Sequence, residues 1–200
     1  MRLFRRRTDL KKLKTISAAS ALLACCVALS GTASGQAVQK QYVADFGAAF
    51  TQATVTKAQS GLFGLDISMG KMLTNNLSVG LALGYDVVSF QKVEGIYQRF
   101  AIFPILAKAK YYFTIAPLMQ LHASAAGGMY QMVPHLGVDP VGGVWSAQTK
   151  PGGSVGIGFD YWRFGTSGLG AEFEYNFIDS GTEDLFSYFA FRVNYSIFKM

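Results

Sequence analysis

The sequence predicts an all-β protein, an antiparallel up-and-down transmembrane β-barrel of about eight strands. Three observations predict it. The chain opens on a basic and then apolar leader of the kind that marks export. Beyond about residue 40, apolar and small or polar residues alternate with period two over segments of about ten residues. The second face of those segments is too small, and too poor in Lys and Glu, for a surface that meets water.

In the leader, Arg2, Arg5, Arg6, Arg7, Lys11, Lys12 and Lys14 precede an apolar stretch from Ile16 to Leu29. That stretch is shorter than the roughly 20 residues of a spanning helix. The small residues Gly31, Ala33, Ser34, Gly35 and Ala37 follow it, so cleavage is expected between Ser34 and Val38. Residues 1–36 are read as a signal peptide and residues 37–200 as the barrel domain. Leu22-Leu23-Ala24-Cys25 loosely resembles a lipobox, which would lipidate Cys25, but the small residues beyond it favour ordinary cleavage. Arg6-Arg7 resembles a twin-arginine signal. The general secretory route is the expectation, because such a barrel must cross the inner membrane unfolded.

The full chain carries 18 basic and 12 acidic residues, of which the leader takes seven and one, leaving eleven of each. The basic balance therefore belongs to the leader, and nucleic-acid binding, which needs a basic patch on the folded part, is excluded. Both cysteines, Cys25 and Cys26, also lie in the leader. The mature chain thus has no disulfide, thiol nucleophile or cysteine-ligated metal, and no cofactor is expected.

No run of about 18 apolar residues and no sustained helical period follows the leader. The clearest strand sets Leu77, Val79, Leu81, Leu83, Tyr85 and Val87 against Ser78, Gly80, Ala82, Gly84 and Asp86. Phe63 to Gly70, Leu169 to Phe177 and Phe189 to Ile197 split the same way. Strands are expected at about 41–52, 62–71, 77–89, 98–112, 118–131, 153–164, 168–178 and 187–198. The fourth is the weakest, since both faces from Phe100 to Leu106 are apolar and Pro104 donates no ladder hydrogen bond. Lys108 and Lys110 fix its register: a Lys facing lipid at mid-bilayer costs about 2–4 kcal/mol, so both should face inward.

Short turns at 74–76, 114–117 and 165–168 alternate with longer connections at about 53–61, 90–97, 132–152 and 179–186. The short turns are expected on the periplasmic side with both termini, and the longer connections outside. A soluble lipocalin-like or sandwich protein alternates too, but its polar face must be solvated. Here that face is mostly Gly, Ala and Ser, suited to a narrow lumen.

The glycine-aromatic alternation of Leu77 to Tyr85, the strand end Lys110-Tyr111-Tyr112-Phe113 and the aromatic final strand Tyr188 to Phe198 carry a resemblance. Over nearly the whole mature chain it resembles the small bacterial outer-membrane β-barrel domain family, the porin-family barrels of OmpA and OmpX type. The resemblance implies a monomer among outer-membrane lipid and lipopolysaccharide, inserted by the outer-membrane assembly machinery. Such barrels commonly finish on an aromatic residue, whereas Lys199 and Met200 follow Phe198 here.

Eight strands enclose a lumen that side chains fill, so no aqueous pore is expected. Asp66, Asp86, Lys108, Lys110, Asp160, Glu172, Glu174 and Arg192 all project inward in these registers. They should pair with one another, with Arg192 facing Glu172 or Glu174, since an unpaired buried charge costs several kcal/mol. His122-Ala123-Ser124 is similar to the His-x-Ser of lipid A deacylases, in which His takes the Ser proton. The Asn expected after the Ser is Ala125, no acid is expected nearby on the next strand, and His122 reads as luminal. A non-enzymatic structural or adhesion barrel is the preferred reading, and a lipid-modifying enzyme using His122 and Ser124 the alternative. The long loop holds Pro134, His135 and Trp145, candidates for ligand or partner recognition; lone His135 lacks companions for a metal.

Overall fold

The computed structural model describes residues 42–54, 62–93, 96–134, 147–162, 167–179 and 185–199. The expected signal peptide lies outside these residues, as do His135 and Trp145. The described chain forms β1 (Tyr42–Ala53), β2 (Leu62–Met72), β3 (Leu77–Val93), β4 (Ile96–Ala116), β5 (Met119–Pro134), β6 (Gln148–Tyr161), β7 (Ser167–Asp179) and β8 (Leu185–Lys199). Each strand pairs antiparallel with its chain neighbours, and β1 pairs with β8 to close the barrel. Closure leaves no edge strand, so every ladder has a partner.

The alternation in the sequence becomes an inside and an outside. Phe46, Phe50, Met69, Leu81, Ile105, Ile157, Leu169, Phe173 and Val193 stand exposed on the outer wall. Asp45, Ser78, Asp86, Lys108, Lys110, Ser154, Asp160, Glu172, Glu174, Arg192 and Asn194 are buried within it. A water-soluble barrel has the opposite arrangement. Large apolar side chains outside and charges inside are what a hydrocarbon surround selects.

Several connections are shorter than the sequence suggests. β3 and β4 continue to Val93 and Ile96, with an irregularity between Gln91 and Val93, where a loop at 90–97 was expected. Polar residues there read as a loop, yet backbone pairing above an apolar belt places no demand on composition. β5 and β6 likewise extend to Pro134 and Gln148, cutting into the expected 132–152 connection; Met129 pairs with Pro151 inside that extension. β4 runs on to Ala116 through an irregularity after Thr114, which moves the turn to Pro117 and Leu118. β6 ends at Tyr161 rather than about 164: the Trp162 backbone N–H donates to the Leu118 carbonyl, 2.8 Å away.

Pro104 does not break β4. The β3–β4 ladder passes from Leu83↔Ile105 to Asp86↔Ile102 with no paired position between. The proline ring instead occupies the space that Gly84 leaves, where a Cβ would lie 2.8 Å from its Cγ. On the other side Pro104 still pairs with Tyr130 of β5.

The lumen is layered. Toward the end where the β3–β4 and β5–β6 hairpins turn, here the upper end, Val88, Phe100, Ile102, Leu106, Tyr130, Ile178 and Tyr188 pack as an apolar core. That explains the doubly apolar stretch from Phe100 to Leu106: its inner face fills this core and its outer face joins the belt. Charges fill the middle, and Val43, Met72 and Tyr112 form a small apolar cluster at the lower end.

Candidate functional site

All eight charges singled out in the sequence face the lumen and fall into three linked groups. In the first, the Arg192 guanidinium on β8 donates from Nε to Glu174 Oε2 at 2.7 Å and from Nη2 to Asp86 Oδ2 at 3.0 Å. Its Nη1 lies 3.4 Å from Asp66 Oδ1. Glu172 is the register partner of Arg192, but the direct bond goes to Glu174 instead. Glu172 is occupied elsewhere, by the second group.

There, Lys108 on β4 crosses the lumen to β7, 3.0 Å from Glu172 and 3.6 Å from Glu174. Lys110 donates to Asp45 Oδ2 at 2.7 Å and lies 3.7 Å from Glu172. Asp45 was not singled out in the sequence reading. The signal was present, because Val43, Asp45, Gly47, Ala49 and Thr51 alternate with Tyr42, Ala44, Phe46, Ala48 and Phe50 along β1.

Among the described residues the lumen carboxylates outnumber Lys108, Lys110 and Arg192, and hydroxyl groups add neutral hydrogen bonds to four of them. Ser68 donates to Asp45 at 2.9 Å, Ser124 to Glu172 at 2.5 Å, Ser154 to Glu174 at 2.6 Å and Tyr188 to Asp86 at 2.8 Å. Buried charges demand such partners, since an ion in a low-dielectric interior carries a desolvation penalty of several kcal/mol. Alternation marks inward charges at once, whereas uncharged hydroxyls on the same face carry no such mark.

The third group corrects the expectation that no acid stands near His122. His122 pairs with Gly158, and Asp160, two residues further on β6, brings Oδ2 to 3.0 Å from His122 Nδ1. The imidazole is oriented by a carboxylate, as a catalytic histidine would be. The arrangement stops there. Ser124 Oγ donates to Glu172, and His122 Nε2 lies 3.8 Å from Glu172 Oε2 with no hydrogen-bond partner. His122 is 2 % exposed and Ser124 6 %, both inside the lumen and away from the outer wall.

Glycines make room for these groups. A Cβ on Gly64 would collide with the Asp86 carboxylate, and one on Gly170 with that of Asp160. At Gly158 it would stand 2.6 Å from His122 Nε2 and would also meet the Ala171 carbonyl. Gly158→Val is therefore expected to destabilise the barrel by about 1–3 kcal/mol, the usual range for overpacking. Gly127→Ala meets nothing closer than 4.0 Å and should leave the midpoint unchanged in urea titrations of lipid-embedded protein.

Pro134 ends β5, with its backbone paired to Phe100. His135 and Trp145, the other two loop candidates, lie outside the described residues. Among the described residues no group of His, Cys, Asp and Glu has the arrangement of a metal site.

No protein family and no curated protein matches the chain. Solved structures do. Neisserial surface protein A is 20 % identical, with 82 % of this chain and 99 % of that one covered and a TM-score of 0.54. OprG from Pseudomonas aeruginosa is 10 % identical over 80 % and 96 %, with a TM-score of 0.60. Ail from Yersinia pestis, solved with the heparin analogue sucrose octasulfate, is 13 % identical over 81 % and 100 %, with a TM-score of 0.50. At these identities the likeness is one of fold. With its closed ring of eight antiparallel strands, its apolar outer wall and its charged lumen, the chain has the fold of the small outer-membrane β-barrels.

Proposed function

We propose that the chain is a sealed, non-enzymatic outer-membrane barrel whose extracellular connections serve a structural or binding role. The observation that carries this reading is the bridging of the lumen by side chains. Lys108 spans from β4 to β7, Arg192 from β8 to β2 and β3, and an apolar core lies above them. Such a filling, among the described residues, opposes passage of a solute. The fold is compatible with a binding role, since Ail, of like fold, is seen in complex with a heparin analogue. In this reading the short turns and both termini are periplasmic, and Pro134, His135 and Trp145 are the candidates for loop binding. Outer-membrane lipid and lipopolysaccharide surround a monomer that the assembly machinery inserts.

The lipid-modifying alternative would need His122 and Ser124 to act on an acyl ester. The bond from Ser124 to Glu172 and the burial of both side chains oppose it. Two measurements test the proposal. Refolded protein in a planar bilayer should give no discrete conductance steps, and incubation with lipid A and with phospholipid should release no fatty acid. Stepwise conductance, or acyl release that Ser124→Ala abolishes, overturns it.

A further inference from the structure

The ladder between β1 and β8 differs from the other seven. Those seven join consecutive strands, whereas β1–β8 pairs Tyr42 with Lys199 and Ala53 with Tyr188, the two ends of the barrel sequence. Closing so long a loop is the entropically most demanding contact, and the one expected to form last. The side chains at this seam are arranged to reinforce it from within.

Arg192 does not bond to β1 beside it. At its level β1 presents inward Ala49, its register partner, flanked by Gly47 and Thr51. The guanidinium passes over these small residues to the carboxylates of Asp66 on β2 and Asp86 on β3. Tyr188, also on β8, reaches the same Asp86 carboxylate at 2.8 Å. Behind the seam, Glu174 of β7 fixes the guanidinium through Nε at 2.7 Å. Ion pairs thus span β1 and tie the last strand to the second and third.

We propose that Arg192 is the closing latch of the barrel. Its pairs with Asp86 and Asp66 form as β8 meets β1 and favour the final, seam-sealing step of assembly over an inserted but open sheet. Arg192 acts here as a positioning residue, and the role is kinetic as well as stabilising. The inference rests on the membrane-barrel reading.

The test separates insertion from closure. In a Cys25→Ser/Cys26→Ser background, Ala44→Cys and Ile197→Cys place one thiol on each side of the seam, at paired outward-facing positions near its lower end. Urea-unfolded protein is diluted into dilauroylphosphatidylcholine vesicles with copper–phenanthroline. Tryptophan fluorescence follows insertion, and disulfide formation on a non-reducing gel follows closure. Failure of the parent protein to insert would sink the membrane-barrel reading itself. If the latch operates, Arg192→Met slows disulfide formation about ten-fold while leaving the insertion rate within about two-fold. Lys108→Met, which removes pairs between β4 and β7 that do not cross the seam, leaves closure within about two-fold of the parent.

Should Arg192→Met fail to insert, Arg192→Met/Asp86→Asn/Glu174→Gln removes most of the stranded charge; it should insert and still close slowly. Parent-like closure in whichever of these Arg192 variants inserts overturns the proposal. So does equal slowing by Lys108→Met.

Discussion

Replacing Arg192 by methionine is expected to lower the unfolding free energy by about 3–5 kcal/mol, the range for breaking a buried ion pair by removing one partner. The side chain is buried, and its loss strands Glu174, Asp86 and Asp66 in the lumen without their cation. Tyr188 and Ser154 would still donate to two of these carboxylates, which keeps the loss within that range. Removing the partners as well should restore much of it. Arg192→Met with Glu174→Gln and Asp86→Asn leaves neutral groups at three of the four charged positions, with only the more peripheral Asp66 still ionised, and replacing a buried ionic cluster is far less costly than removing one of its partners. The comparison is made on urea midpoints of bilayer-embedded protein. A single variant that unfolds at the parent midpoint would mean that Arg192 is hydrated or faces elsewhere, and the β8 register would have to be abandoned.

Leu81→Arg should destabilise the barrel by about 2–4 kcal/mol or block its insertion, because Leu81 is 64 % exposed on the outer wall. Its cross-strand neighbours there are Met69 and Ala107, neither able to pair with a charge. The adjacent residue faces the opposite way. Ala82 packs against the upper lumen core, and Ala82→Ser should cost about 1 kcal/mol, the ordinary scale of a mild substitution. Heat-modifiability gels after refolding in detergent report insertion, and urea midpoints report the size of each effect. Equal tolerance at the two positions would refute the assignment of inside and outside.

The fold was legible because a barrel wall repeats one rule, and any strand that obeys it cleanly, such as Leu77 to Val87, reveals both faces at once. Strand ends were less legible. Gln91, Gln148 and Lys150 carry loop-like chemistry, but they lie where the pleat continues above the apolar belt and hydrophobicity no longer constrains it. The inward direction of the eight charges followed from the alternation, since a charge on the outer face would meet hydrocarbon. Their partners did not follow, because lumen contacts cross the barrel. Lys110 meets Asp45 from a strand three places away, a relation set by barrel radius and strand stagger rather than by spacing in the chain. The His122–Asp160 contact was missed for a smaller reason: it is diagonal, two residues from the paired position.

The glycine hollows beneath Asp86, Asp160 and His122 bear on how such a sequence can diverge. Each hollow and its occupant lie on neighbouring strands, so a larger residue at Gly64 becomes admissible only after Asp86 has been shortened, and shortening Asp86 alone opens a void. Inheritance of the interior therefore proceeds by linked pairs, with a less fit intermediate between them. The outer wall is coupled less tightly: its side chains touch in pairs such as Phe173 and Phe189, with ring centroids 5.2 Å apart, but lipid can fill what a smaller side chain leaves. The wall is thus expected to accept single substitutions more readily than the lumen, where a change at one strand constrains its neighbour.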